Sequence, residues 1–317
     1  MRIALPLLLI ASFILSLVSG KVWIMPGDWL ADNPGGWIMA ELRLPRAILG
    51  LVIGGVLGLA GAVLQGYVRN PLADPTIIGV SASAALGGVI AIMLGLSALP
   101  YGIFACAMLG AAGSVVLLSL MARKAGGPLG FILGGTILST LAGSLTAFLI
   151  SISPSPFATS EIVTWLMGAL TDRGIEDVLR AVPFMLAGGA ILALTGRPLD
   201  ALTLGEDGAT SLGIDLAKLR WMIVGGVGLS VGAAVAVTGV VGFVGLIVPH
   251  VARLFVGERP SAILLPSVMG GAILMLVADS LVRLMPGASE IRLGVAMSVL
   301  GAPVFFLLLT RVRDRIL

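Results

Sequence analysis

Few side chains in this 317-residue sequence can make or break bonds, and each stands apart from the partners it would need. The run Gly228-Leu229-Ser230-Val231-Gly232 has G-x-S-x-G spacing. That motif activates serine only on a strand-to-helix elbow with a histidine and an acid in reach, and here it lies in an apolar, helix-like stretch. The one histidine, His250, follows Pro249 at the end of an apolar segment. It has no partner at catalytic or ligand spacing, so bonding to backbone freed by the proline is preferred over a pH switch or a ligand contact. The one cysteine, Cys106, lies inside an apolar run, which excludes a disulfide framework and a thiol metal site. There is no H-E-x-x-H and no Cys/His cluster, so no metal is expected. There is no G-x-x-x-x-G-K-[ST] either, so the chain cannot cradle a nucleotide by itself.

Carboxylates discriminate further, because ion-coupled transport needs them inside the membrane. Of 16 Asp and Glu, only Asp279 falls clearly within an apolar run, four residues before Arg283. At that spacing the two share a helix face, and an ion pair is expected rather than a proton relay. Neither inverted repeats nor further midplane charges are evident. A secondary transporter, and more remotely an intramembrane hydrolase, stay as alternatives.

The elements that position these residues follow from composition. Hydrophobic residues make up 58% and charged residues 11%, with mean hydropathy +1.13. Soluble domains carry roughly a quarter charged residues, and disordered chains have the reverse pattern. An all-α polytopic membrane protein remains. Apolar runs fall at about 3–20, 46–68, 78–96, 101–121, 129–151, 181–196, 219–238, 243–255, 262–283 and 292–310, which predicts about ten transmembrane helices. The 243–255 run is short, and is either broken or joined to its neighbour through Gly242 and Gly245. The first run also fits a cleavable signal peptide, but it is long for one and is read as a retained helix. Both termini are placed in the cytoplasm, because that puts 12 of the 19 Lys and Arg inside. Residues 1–317 thus form a single transmembrane domain, with non-helical segments at 21–45 and 152–180 outside and 197–218 inside. Gly50, Gly54 and Gly58, and again Gly228 and Gly232, have the spacing of close helix packing.

The inner segment from Arg197 to Asp215 is polar, yet places Leu199, Leu202, Leu204, Ala209 and Leu212 where two short amphipathic helices broken near Gly205 would carry them. Such helices bury their apolar face in a partner groove. The alternative is a loop packed on its own bundle.

That segment resembles the ATPase-coupling element of permeases that import iron-siderophores, haem and vitamin B12, in the LGE-x-x-A-x-x-LG pattern: Leu204-Gly205-Glu206, Ala209 and Leu212-Gly213. Further stretches resemble the same FecCD-type family: Arg43-Leu44-Pro45-Arg46, Gln65 followed by Arg69-Asn70-Pro71-Leu72-Ala73-Asp74-Pro75, the run Gly242 to Arg253, and Leu300 to Phe305. The resemblance implies a permease subunit of a type II ABC importer. It would be a homodimer with two ATP-binding subunits inside, which carry the ATP and Mg, and a periplasmic binding protein outside. It would move a metal chelate without being an enzyme itself.

Residue roles come with the resemblance. Coupling falls to Leu204, Gly205, Glu206, Ala209, Leu212 and Gly213 within helices at 199–215. Docking of the binding protein falls to Arg43, Arg46 and Arg283, although Arg46 could instead snorkel and Arg283 could be absorbed by Asp279. The cytoplasmic gate falls to Asn70 and Leu72. A second constriction uses hydroxyl residues in the family where this sequence has Gly126-Gly127-Pro128, so Gly127 is expected as a gate element, a hinge or a turn.

Overall fold

A computed structural model describes residues 3–24, 26–29, 33–125, 127–285 and 290–313. The described residues are helical throughout, without strands. In chain order the helices are α1 (Ala4–Val18), α2 (Pro34–Ile38), α3 (Leu44–Val68), α4 (Val80–Met93), α5 (Gly102–Ala125), α6 (Gly127–Ser151), α7 (Pro156–Leu166), α8 (Ile175–Ala193), α9 (Gly196–Leu202), α10 (Glu206–Ser211), α11 (Leu216–Thr238), α12 (Val244–Val256), α13 (Pro260–Leu284) and α14 (Leu293–Arg313). Among the described residues, six helices are long and apolar enough to cross a bilayer, and four more are apolar but shorter. These ten coincide with the ten apolar runs. The 243–255 run is a separate helix: Gly239 and Phe243 both have positive φ, 72° and 68°, and turn the chain between α11 and α12.

The three segments expected to be non-helical each contain helix, although 167–174 remains a loop. Asn33 caps α2 by accepting the Gly36 N–H at 2.9 Å, with Pro34 behind it, and a π turn at Met39–Arg43 runs straight into α3. Ser155 caps α7 at 3.2 Å in the same way, again followed by proline. Helix α8 starts at Ile175, six residues before its apolar run, because the Asp177 carboxylate accepts the Gly174 N–H at 3.1 Å. Cap chemistry starts these helices where hydropathy is silent.

Helix α3 is the axis of the bundle, buried along most of its length and packed most extensively against α13. In lipid, helices associate through close contact rather than a hydrophobic drive, and glycine provides it here. A Cβ on Gly54 would lie 2.7 Å from the Gly271 carbonyl carbon, and one on Gly58 would overlap the Ser267 carbonyl. Gly61 approaches Gly245 of α12 as closely. Gly50 and Gly55, one turn away, make only ordinary contacts. Gly228 and Gly232 admit Val115 and Ala111 of α5.

Candidate functional site

At one end of the bundle, residues distant in sequence meet. Helix α3 begins there, α13 ends there, and the 167–174 loop joins them. Arg46 donates from Nε and Nη2 to the Asp279 carboxylate at 2.8–3.1 Å, and from Nη2 to Glu290 at 2.8 Å. Arg283 Nη2 pairs with the other Asp279 oxygen at 3.1 Å and donates to the Ser16 hydroxyl at 2.9 Å, while its Nη1 donates to the Ser19 carbonyl. Arg43, the last residue of the π turn, donates to the Leu17, Val18 and Val22 carbonyls. It therefore caps the C-terminal end of α1, where carbonyls lack helical donors.

Arg43, Arg46, Arg283 and Glu290 line a cavity of about 290 Å³ together with Lys21, Asp172 and Arg173. The expected Asp279–Arg283 pair exists, but Asp279 serves two arginines and so is no proton relay. The three docking candidates are not free rim charges: Arg43, Arg46 and Arg283 are 7%, 11% and 5% exposed. A guanidinium at membrane depth must find internal acceptors, and each does. Glu290 was not singled out from sequence. Burial pushes its carboxyl up, but the hydrogen bond and charge of Arg46, with Thr171 and Arg283, outweigh this and hold it below the usual glutamate range. The Glu290 contact is thus present at neutral pH and lost only as pH falls through that depressed value.

The segment expected to couple to the ATPases sits at the opposite end of α13. It forms two short helices, α9 and α10, broken at Gly205 (φ 93°) and closed at Gly213 (φ 81°), both left-handed conformations that favour glycine. Its five apolar residues do not share one exposed face. Leu199, Leu202 and Ala209 are fully buried in the chain's own core, whereas Leu204 and Leu212 are 69% and 62% exposed. Glu206, half-buried, opens α10. Asp200, also missed from sequence, ties this segment to α13. It accepts the Ser261 N–H at 2.8 Å and the Ser261 hydroxyl at 2.6 Å, and pairs with Arg259 at 2.8 Å. Only the i to i+3 cap spacing is visible in sequence, and these partners lie some sixty residues apart.

The gate candidates lie on the loop after α3. The Asn70 carboxamide accepts the Leu72 N–H at 2.9 Å in a local turn, and Leu72 is 37% exposed. Further along, Ser139 of α6 donates to the Thr76 carbonyl at 3.0 Å, and Gly135 of α6 passes against Ile77 and Ile78. The loop is therefore wedged against α6. Gly127 is the first residue of α6, and Gly126 lies outside the described residues. Two exposed stripes run along α6. One is small and hydroxylic, with Thr136, Thr140, Gly143, Ser144, Ala147 and Ser151; the other carries Ile137, Leu141, Phe148 and Ile152.

Pro249 deprives the Gly245 carbonyl of its helical donor, and His250 is not what replaces it. Gln65 of α3 donates its amide to the Gly245 and Leu246 carbonyls at 3.1 and 3.3 Å, while its own oxygen accepts from Arg253. Gln65→Leu is expected to lower stability by about 2 kcal/mol by orphaning buried polar groups. Adding Pro249→Ala, which restores the missing N–H, is expected to recover part of that loss. Thermal unfolding of the purified single and double variants checks both.

The serine of the G-x-S-x-G run is not placed for nucleophilic attack. Ser230 is fully buried, and its hydroxyl donates to the Gly226 carbonyl at 2.6 Å within α11. Among the described residues, no group of three or more His, Cys, Asp or Glu converges on a metal position. A bundle of apolar helices with polar clusters at its two ends and a hydroxyl-striped helix between them defines a polytopic membrane permease. The sequence matches the FecCD transport family over residues 8–311. The chain belongs to that family and is a permease subunit of the type II ABC importer class.

Curated relatives include the vitamin B12 import system permease protein BtuC of Klebsiella pneumoniae, 36% identical over 98% of this chain and 93% of that protein. BtuC of Salmonella typhimurium is 35% identical over 98% and 94%. A chain described as a metal-chelate type ABC transporter in an inward-facing conformation superimposes with TM-score 0.89 at 35% identity, over 97% of this chain and 98% of that one. PsaBC from Streptococcus pneumoniae, at 17% identity and TM-score 0.52, shares the fold.

Proposed function

We propose that this chain, as a homodimer with ten spanning helices per copy and cytoplasmic termini, moves a metal chelate across the bacterial inner membrane by alternating access. Iron-siderophore, haem and cobalamin all belong to that class, and the vitamin B12 and metal-chelate relatives support it. Two ATP-binding subunits carry the ATP and Mg, so the chain itself is not an enzyme. Helix α14 favours a second copy: one side packs on the bundle through Leu293, Gly294, Met297 and Gly301, and the other leaves Val295, Val299, Leu300 and Phe306 exposed. The hydroxylic stripe of α6 suits the path, since lipid gives such residues no partner.

Leu204 and Leu212 carry the coupling reading. A permease without a nucleotide site offers these two large apolar side chains beside Glu206, on helices broken by Gly205 and closed by Gly213, with Ala209 anchoring them to the core. ATP-driven closure of the partners shifts α9 and α10, and Asp200 passes the shift to α13 as a rigid-body movement. The other end of α13 carries Arg283, which with Arg43 and Arg46 docks the acidic surface of a periplasmic binding protein. Residues 21–45 and 152–180 face that protein, and Asn70, Leu72 and Gly127 close the cytoplasmic side.

Leu204→Asp and Glu206→Arg are expected to remove co-purifying ATP-binding subunit and at least 90% of ligand-stimulated ATP hydrolysis, roughly the effect of losing 1.4 kcal/mol or more at an interface. Normal assembly and transport by both variants would overturn the coupling assignment.

A further inference from the structure

The arginine cavity holds more positive charge than its carboxylates balance, and the two carboxylates differ in kind. Asp279 is 1% exposed and binds Arg46 through both oxygens while also pairing with Arg283. An incoming group cannot reach it without opening the α3–α13 contact. Glu290 is 23% exposed, lines the cavity, and holds Arg46 Nη2 at 2.8 Å with one oxygen, which also accepts from Thr171 at 3.3 Å. A carboxylate entering from outside therefore meets Glu290, not Asp279, as its competitor for Arg46. Bidentate and charge-assisted contacts to arginine are the strong ones, and the exchange of one carboxylate for another keeps Arg46 paired throughout.

Glu290 also sits where its release would be felt. It stands three residues before Leu293, the first residue of α14. The Gly294 N–H donates to the Gly168 carbonyl at 3.1 Å, and Thr171 belongs to the same 167–174 loop. The start of α14 is packed as well, with Leu293 and Met297 buried in the core and Gly294 lying against the Met167 and Val240 carbonyls. The Arg46–Glu290 bond is thus a direct tie between the start of α3 and the start of α14.

We propose that Glu290 is an internal stand-in for the docking partner's carboxylate. It occupies the accessible side of Arg46 in the undocked permease and is displaced on docking, which removes the one side-chain tie described between the start of α3 and the segment that leads into α14. This rests on the docking reading of Arg43, Arg46 and Arg283. In effect Glu290 lowers the fraction of permease ready to bind, and removing it lifts that penalty.

The test measures binding of the substrate-binding protein that co-purifies with the wild-type transporter, using permease in lipid nanodiscs at low salt. Glu290→Gln, and Glu290→Ala in case the Gln amide keeps the contact, are expected to bind about tenfold more tightly than wild type. Asp172→Asn removes the same charge from the same cavity without touching Arg46, so any gain in affinity it shows is the effect of charge alone, and that gain is expected to be smaller than that of either Glu290 variant. If both Glu290 variants bind no more tightly than Asp172→Asn, the stand-in role is overturned. Arg46→Glu separates the two levels. If it binds as wild type does, or if no binding protein co-purifies, the docking reading itself falls. If it weakens binding while the Glu290 variants leave affinity unchanged, docking stands and only the stand-in role fails.

Discussion

Gly61→Ala is expected to destabilise the permease by about 3 kcal/mol, enough to abolish monodisperse protein at growth temperature. A Cβ at Gly61 would overlap the Gly245 carbonyl and come within 2.5 Å of its carbon and Cα. The obstacle is backbone, which cannot rotate away as a side chain can. Helix α12 would have to back off from α3, breaking the Gln65 bonds to the Gly245 and Leu246 carbonyls at the same contact. Gly113→Ala in α5 is the control, since a Cβ there meets nothing within 4 Å. It is expected to be neutral or to stabilise by up to about 1 kcal/mol, the ordinary advantage of alanine in a helix. Thermal unfolding of both variants in detergent makes the comparison, and equal stability would mean that α3 and α12 do not touch backbone to backbone.

The contrast between these two glycines shows what the sequence could and could not reveal. Spanning helices are written in apolar composition, because the bilayer demands about 20 apolar residues whatever they pack against, so the six long apolar helices and the four shorter ones were all legible as runs. Glycine spacing told of close packing in general. It could not say that Gly54, Gly58 and Gly61 matter while Gly50 does not, because that depends on which helix lies opposite. The short helices α2 and α7 were legible in principle through Asn33-Pro34 and Ser155-Pro156, a cap followed by proline, but no apolar run draws attention to them.

Pairing is the part that one-dimensional reading loses. Asp279 and Arg283 are four residues apart and were matched correctly. Arg46 and Asp279 are separated by 233 positions, and nothing local announces their bond. Motif resemblance brought Arg43, Arg46 and Arg283 together, but it was blind to their burial and to Glu290, a lone acid between two apolar runs. In the coupling segment, periodicity found two broken helices yet assigned all five apolar residues to the outside. Three of them are buried in the chain's own core and anchor the segment there.

Asp279→Leu is expected to be the most damaging single substitution in the chain, at about 3–5 kcal/mol, because it leaves Arg46 and Arg283 buried with Glu290 as their nearest remaining anion. If the damage comes from unpaired charge, removing a cation should repair it. Arg46→Met combined with Asp279→Leu is expected to regain about half the lost stability, with Arg283 still satisfied by the Ser16 hydroxyl and the Ser19 carbonyl. A coupling energy near zero in the double-mutant cycle would mean that the ion pair does not hold α3 to α13. The refolded double variant also separates structure from docking. It regains enough stability to assemble but lacks Arg46, so it should still bind its periplasmic partner more weakly than wild type. Full transport by that variant would confine the cluster to holding helices together.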